Sequence, residues 1–247
     1  MRVDVVTGFP VLVSGPLNES ILRRARQKQL VDIVVHDLRD YTTDKHRTID
    51  DTPFGGGAGM ILKPEPVFAC IEALQAERTY DEIIYLSADG VPHKQRIANE
   101  LSLKENLLVL CGHYKGIDER IRETLITREI SIGDYVLTGG ELPALVVIDS
   151  IVRLIPGVMS DGESLLEDSF QDALLDVPQY TRPAVFRKLR VPAILLSGDH
   201  KKIESWRKKE ALKRTRLRRP DLLQRAAHPT GSGTPADPIR RGARFIK

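Results

Sequence analysis

The sequence predicts an α/β protein built on a mostly parallel sheet, followed by a small, mostly helical and basic C-terminal segment. Three observations carry this. Short β-branched runs alternate with segments of helical spacing from Arg2 to about Ile155. Each run ends in a polar or glycine-containing stretch, and open α/β sheets place ligands beyond the carboxyl ends of their strands. Charge is also uneven. Phe186–Arg219 holds thirteen Lys or Arg against three Asp or Glu, while the whole chain is only +3, so the remainder stands at −7.

The elements follow in order. Arg2–Val6 reads as a buried strand. Asn18–Leu30 reads as a helix, with Asn18 as its cap and Ile21, Leu22 and Ala25 at helical spacing. Val31–Leu38 is a second strand. Pro64–Arg78 and Lys94–Glu105 read as helices, and Glu82–Ser87 and Leu107–Cys111 as strands. Arg39–Met60, RDYTTDKHRTIDDTPFGGGAGM, is too rich in charge and glycine for a regular element and reads as a long loop. Such loops are uncommon unless functional or disordered.

Glu129–Pro143, EISIGDYVLTGGELP, organises the rest. Two β-branched pieces, Ile130–Ile132 and Tyr135–Leu137, flank Gly133 and Asp134, and the Gly139–Gly140 pair follows. Thr138 reads as the cap of a helix starting near Glu141–Leu142, with Pro143 in its first turn. Glycines here let the chain turn sharply and let a ligand approach the backbone. Two further strand ends, Leu86–Gly90 and Cys111–Arg120, have the same mixed character. Three such ends together suit a flat apolar group with hydrogen-bonding edges, such as adenine. No G-x-x-x-x-G-K-[ST] and no G-x-G-x-x-G follows a strand, so a nucleoside is favoured over a triphosphate or a dinucleotide.

Composition excludes several classes. The two cysteines, Cys70 and Cys111, form no C-x-x-C and no Cys/His cluster, so neither zinc nor a disulfide framework is expected. The segment MRVDVVTGFP has no signal-peptide core. The longest apolar run, Leu142–Ile155, contains Asp149 and Arg153 and is too short to span a bilayer. A soluble, cytoplasmic protein without a membrane partner is expected.

Pro156–Glu167 reads as a linker or lid, with Asp168 directly after it. Ala193–Ser197 reads as a short strand or loop. A basic helix runs from about His200 to Leu217, capped by Ser197 or Asp199, with Ile203, Trp206, Leu212 and Leu217 on a thin apolar face. Its lysines and arginines suit a phosphate backbone. Ala226–Lys247 reads as a tail not needed for the fold.

Several stretches together resemble the bacterial tRNA (guanine-N1)-methyltransferase family, TrmD. They are HRTIDDTPFGGGAGM (46–60), LVLCGHYKGIDERI (108–121), EISIGDYVLTGGELPALVVID (129–149), EDSF (167–170), LLDVPQYTRP (174–183) and SGDHKKIESWRKKEALKRTRLRRPDLL (197–223). The resemblance runs from Met1 to about Leu223. It implies a SPOUT-type sheet with a deep trefoil knot, a homodimer, S-adenosylmethionine as methyl donor, N1 of guanine 37 of tRNA as acceptor, and a dependence on Mg2+ whose site it leaves unknown. Under it the chain divides into a donor-binding domain (1–159), a linker or lid (160–168), a basic helical tRNA-binding domain (169–225) and a tail (226–247).

The resemblance also implies roles for residues. The donor pocket would use Leu86, Ser87, Gly112, Tyr114, Ser131, Ile132, Gly133, Asp134, Tyr135, Val136, Leu137, Gly139, Gly140 and Pro143. Asp168 matches the general base and Arg153 the catalytic arginine. The basic helix would engage tRNA through Lys208, Lys209 and Arg214. The chain departs from the family pattern at Ala88-Asp89, where Pro-Gln is common, and at Lys115, where glutamate is common. These departures leave room for a second reading, a non-enzymatic RNA-binding protein with a degenerate donor site.

Overall fold

The structure, a computed structural model, describes residues 1–159, 169–170 and 174–227, with the side chains of 225–227 outside the description. It divides between residues 160 and 161 into two compact units.

The first unit is organised by a five-stranded sheet. Its strands are β1 (Arg2–Thr7), β2 (Asp32–Asp37), β5 (Glu82–Pro92), β6 (Asn106–Cys111) and β7 (Arg128–Ser131), in the order β2-β1-β6-β5-β7. Every pairing is parallel. Such a sheet needs cover on both faces, and the strand sequences supply it by alternation. Val3, Val5, Ile84, Leu86, Leu107 and Val109 face one apolar cluster. That cluster is completed by α1 (Val11–Leu17), α2 (Ser20–Gln27), α4 (Gln95–Ser102) and α6 (Glu141–Val152). Val6, Ile83, Tyr85, Leu108 and Leu110 face the other, covered by α3 (Pro64–Glu77) and α5 (Glu119–Thr124). Burying one such aliphatic side chain contributes roughly 1.5–3 kcal/mol.

The helix the sequence predicts at Asn18–Leu30 is present as α2, and a further short helix, α1, precedes it. Asn18 closes α1 instead of opening a helix: its Nδ2 donates to the Ser14 carbonyl at 2.7 Å. Ser20, at φ 49°, makes the break between them. Pro16 is accommodated inside α1. The expected loop after β2 is also more ordered than its composition suggests. A 3-10 turn (Leu38–Tyr41) opens it. A two-residue strand β3 (Asp50–Asp51) pairs antiparallel with β4 (Ile61–Leu62), and Ile49 is fully buried as its anchor.

The Tyr135–Leu137 strand is not formed. These residues lie in an irregular exposed segment, Val136 being 93% exposed. Their β-branched and aromatic character serves no sheet, because β7 ends at Ser131 and Gly133 turns the chain away at φ 151°. Thr138 does not cap α6; Gly140 holds that position without a side-chain bond.

In the second unit, a short hairpin pairs β8 (Val185–Phe186) with β9 (Leu189–Arg190). Ala193–Leu196 is a 3-10 turn where a strand or loop was expected. The basic helix α7 spans His200–Arg218, and Asp199 caps it by accepting from the Lys202 amide at 3.2 Å. Its buried positions are Ala211 and Thr215, while Leu217, expected on the apolar face, is 80% exposed. Thr215 Oγ1 donates to the Ala211 carbonyl at 2.8 Å and accepts from the Leu175 amide at 2.9 Å, which ties the 174–180 segment to α7. A last helix, α8, spans Pro220–Ala227. The linker expected at 160–168, with Asp168, and the tail beyond Ala227 lie outside the described residues.

Candidate ligand-binding site

The three strand ends singled out in the sequence meet around one cavity of about 430 Å³ in the first unit. The first wall comes from β5. Its ladder with β7 shifts between Leu86 and Val91, so Ser87–Gly90 loop outward before pairing resumes. Gly90 permits this, since a Cβ there would lie 2.5 Å from the backbone of Ile130. The second wall is the turn after β6. Gly112 lies against the buried Tyr85, whose ring a Cβ would approach to 2.9 Å, and Tyr114 sits at φ 58°. The third wall is the 131–140 segment.

The second and third walls are joined backbone to backbone. The Gly140 amide donates to the Gly112 carbonyl at 2.7 Å, and His113 and Gly139 bridge antiparallel. A Cβ at Gly140 would stand 2.9 Å from Cys111 Cα and Gly112 N, so only glycine allows this approach. The result is a cavity whose shape is set by peptide groups.

Thirteen of the fourteen residues expected at the donor pocket line this cavity: Leu86, Ser87, Gly112, Tyr114, Ser131, Ile132, Gly133, Tyr135, Val136, Leu137, Gly139, Gly140 and Pro143. Asp134 does not; it is exposed and turned out of the lining. Arg153 is not in the lining either. It caps the far end of α6, ten residues beyond Pro143, and a helix rises about 1.5 Å per residue, so it stands roughly 15 Å away along the axis. Lys208, Lys209 and Arg214 lie on α7 in the second unit, the first two exposed and Arg214 half-buried. Lys208 pairs with Glu204 at 2.7 Å.

The charged part of the site was not singled out in the sequence. Arg122, on α5, grips the buried Glu129 with two bonds of 3.0 and 2.8 Å, and reaches Asp89 at 2.8 Å. Ser87 Oγ donates to the same Glu129 at 2.7 Å. The guanidinium also lies 5.8 Å over the Tyr85 ring. Burial works against the charge of Arg122, but Glu129 and Asp89 outweigh it and hold the group well above its usual range. Burial pushes the Tyr85 hydroxyl up to about 12 and the Cys111 thiol well above its ordinary value, so neither ionises near neutrality. Burial, then Asp50, also raises Tyr114. On the third wall, Thr7 Oγ1 donates to the buried Glu141 at 2.7 Å. His113 stacks on Phe9 with ring centroids 4.1 Å apart. One signal for these residues was available. Glu129 directly precedes the apolar Ile130 and Glu141 opens the mostly apolar α6, and buried acids require partners.

A parallel sheet whose strand ends enclose a glycine-walled cavity is an arrangement that suits a small, flat, hydrogen-bonding ligand. The family model described as tRNA (Guanine-1)-methyltransferase TrmD matches residues 1–225, and the chain belongs to that family. Proteins named tRNA (guanine-N(1)-)-methyltransferase are among its relatives. That of Chlorobaculum tepidum is 57% identical over 223 residues, covering 90% of this chain and 97% of its own. That of Bacteroides fragilis is 58% identical over 224 residues, covering 91% and 100%. That of Brevibacillus brevis is 56% identical over 227 residues, covering 92% and 93%.

Proposed function

We propose that this protein transfers the methyl group of S-adenosylmethionine to N1 of guanine 37 of tRNA, beside the anticodon. The observation that carries the reading is the cavity in which Gly112, Gly139 and Gly140 stand where a Cβ would collide. Peptide N–H and C=O groups there suit the edges of adenine, and Ile132, Val136, Leu137 and Pro143 suit its faces. The family, and the guanine-N1 activity in its members' names, support the acceptor. The donor supplies an electrophilic methyl carbon.

The residues of the chain would do the rest. Guanine N1 carries a proton and is a weak nucleophile until it loses it. Asp168 is the proposed base. Negative charge then grows toward guanine O6, and the Arg153 guanidinium would stabilise it. The separation along α6 keeps Arg153 from the cavity of its own chain, which favours a homodimer in which a second copy's α6 completes the site. Half-exposed Leu142 and Val146 on the same helix suit such a contact. The family reading extends to a trefoil knot in the first unit, where the 112–116 and 131–140 segments are joined backbone to backbone. Guanine would leave its stack to be reached. The basic face of α7, with Lys208, Lys209 and Arg214, would hold the anticodon stem through phosphates, which position without specifying. Among the described residues no three of His, Cys, Asp or Glu gather as a metal site, and no step is assigned to Mg2+.

The test is methyl transfer from labelled donor to an unmodified tRNA transcript carrying guanine or adenine at position 37. Incorporation into the guanine transcript alone is expected; equal labelling of both, or of neither, overturns the reading. Asp168→Asn is expected to lower single-turnover methylation by about 10²–10⁴-fold while donor binding persists, and a normal rate removes Asp168 as the base.

A further inference from the structure

Two buried carboxylates stand behind the cavity lining, in different surroundings. Glu129 is met by a cation: Arg122 binds both of its oxygens, and Ser87 donates a further hydrogen bond. Glu141 is only 2% exposed, and the bond it accepts from a neutral donor is that of Thr7 Oγ1 at 2.7 Å. The nearest group able to carry positive charge is His113. Its Nδ1 stands 3.5 Å from Glu141 Oε2 and has no hydrogen-bond partner among the described residues. A charge-assisted pair closes to about 2.7–2.9 Å, so this one is open.

Glu141 lies directly behind the ligand surface. Gly139 lines the cavity, and a Cβ on it would fall 2.3 Å from Glu141 Oε2 and 2.4 Å from His113 Nδ1. Glycine at 139 therefore lets an unneutralised carboxylate come within one residue's thickness of whatever fills the space. The charged groups of the lining itself are Asp89 and Arg122, which pair with each other, and Lys115. Lys115 follows the 55–59 glycine segment, its Nζ 3.7 Å from a Cβ built on Gly57. It is exposed to solvent, which screens its charge far more than that of a buried group.

We propose that Glu141 is a specificity-determining residue that makes the cavity prefer a positively charged ligand and so separates a sulfonium methyl donor from its neutral thioether product. The proposal rests on the reading of this cavity as the S-adenosylmethionine site. When the S–CH3 bond breaks, its electron pair stays on sulfur and the positive charge there disappears. The methyl carbon bonds to guanine N1, whose proton has gone to the base. Before transfer, the ligand supplies the counter-charge that the wall lacks. After transfer, the attraction is gone and the product is held less tightly. Glu129 differs in having Arg122 on both of its oxygens, while Asp89, which shares that cation, is exposed to solvent. Glu141 works through the wall, without touching the reacting atoms.

The test is calorimetric binding of S-adenosylmethionine and S-adenosylhomocysteine to the full-length protein and to Glu141→Gln. The substitution is expected to weaken the sulfonium ligand about tenfold and to leave the thioether unchanged, so that their affinity ratio falls. An equal change for both ligands, or none, overturns the proposal, because a structural role would move both together. If Glu141→Gln does not fold, the native protein still decides. Sinefungin carries an ammonium in place of the sulfonium and is expected to bind more tightly than the thioether. Weaker or equal binding contradicts the role of Glu141. A native protein that binds none of the three removes the donor reading itself, and the proposal with it.

Discussion

The cavity and the basic helix α7 are built on opposite principles. The cavity is shaped by backbone, with glycines at contacts where no side chain fits and apolar packing beneath. Of the cations in its lining, Arg122 is held among Glu129, Asp89 and Glu119. Helix α7 buries only Ala211 and Thr215 and presents Lys201, Lys202, Arg207, Lys208 and Lys209 outward. A preformed cavity has little conformational freedom to lose on binding and tolerates little change of shape. A solvated cationic face gains by releasing counterions and tolerates substitution one charge at a time. Shape should therefore govern the first region and ionic strength the second.

Gly140→Ala gives the largest expected effect. A methyl group 2.9 Å from Cys111 Cα cannot be absorbed by a rotamer change. Overpacking of this kind costs about 1–3 kcal/mol of stability. Donor binding measured by calorimetry is expected to disappear, while tRNA binding through α7 persists. Retained donor affinity would show that the wall yields, and the comparison would lose its first half.

Charge reversal of Lys208, Lys209 and Arg214 together comes next. Affinity for tRNA is expected to fall about tenfold or more, and the slope of log K against log salt to flatten by about two to three units. Donor binding should not change. Lys208 lies on the surface, and its exposed i,i+4 pair with Glu204 contributes little, so unfolding should barely move. An unaltered salt slope would remove α7 as the polyanion surface.

Acid separates the regions more gently. Asp4, fully buried in β1, is opposed by burial but held well below the usual carboxylate range by hydrogen bonds from His36, Arg2 and Tyr80. A carboxyl lowered on folding stabilises fully above its unfolded value and loses that contribution as pH falls below it. The first unit is therefore expected to lose stability as pH falls below about 4, followed by denaturant unfolding. Asp4→Asn should flatten that dependence at a cost of about 3 kcal/mol near neutrality. Asp199 and Glu204 on α7 are also lowered, by Lys202 and Lys208, but they are fully exposed. A stability loss that tracked those residues instead would reverse the assignment.

The parts legible in the sequence are those where one residue type has one physical use. Alternating Val, Ile and Leu marked the strands, and glycine pairs at their ends marked the cavity. The Tyr135–Leu137 piece was misleading because residues that line a cavity and residues that fill a strand share the same character. Asn18 was misleading because its amide closes α1 as readily as it opens a helix. Arg122 and Glu129 were hidden for another reason. Their pairing crosses from α5 to β7, and periodicity within an element carries no information about contacts between elements. Glu141 was visible only as an acid near the start of an apolar helix, where a charge favourable to the helix dipole explains it equally well.

The most direct measurement is a crystal structure of the protein soaked with S-adenosylmethionine. The adenosine is expected in the cavity against Gly112, Gly139 and Gly140, its edges on peptide groups and its sulfur toward the Gly139 wall. A cavity left empty at saturating donor, or a donor lodged elsewhere on the chain, would contradict the account.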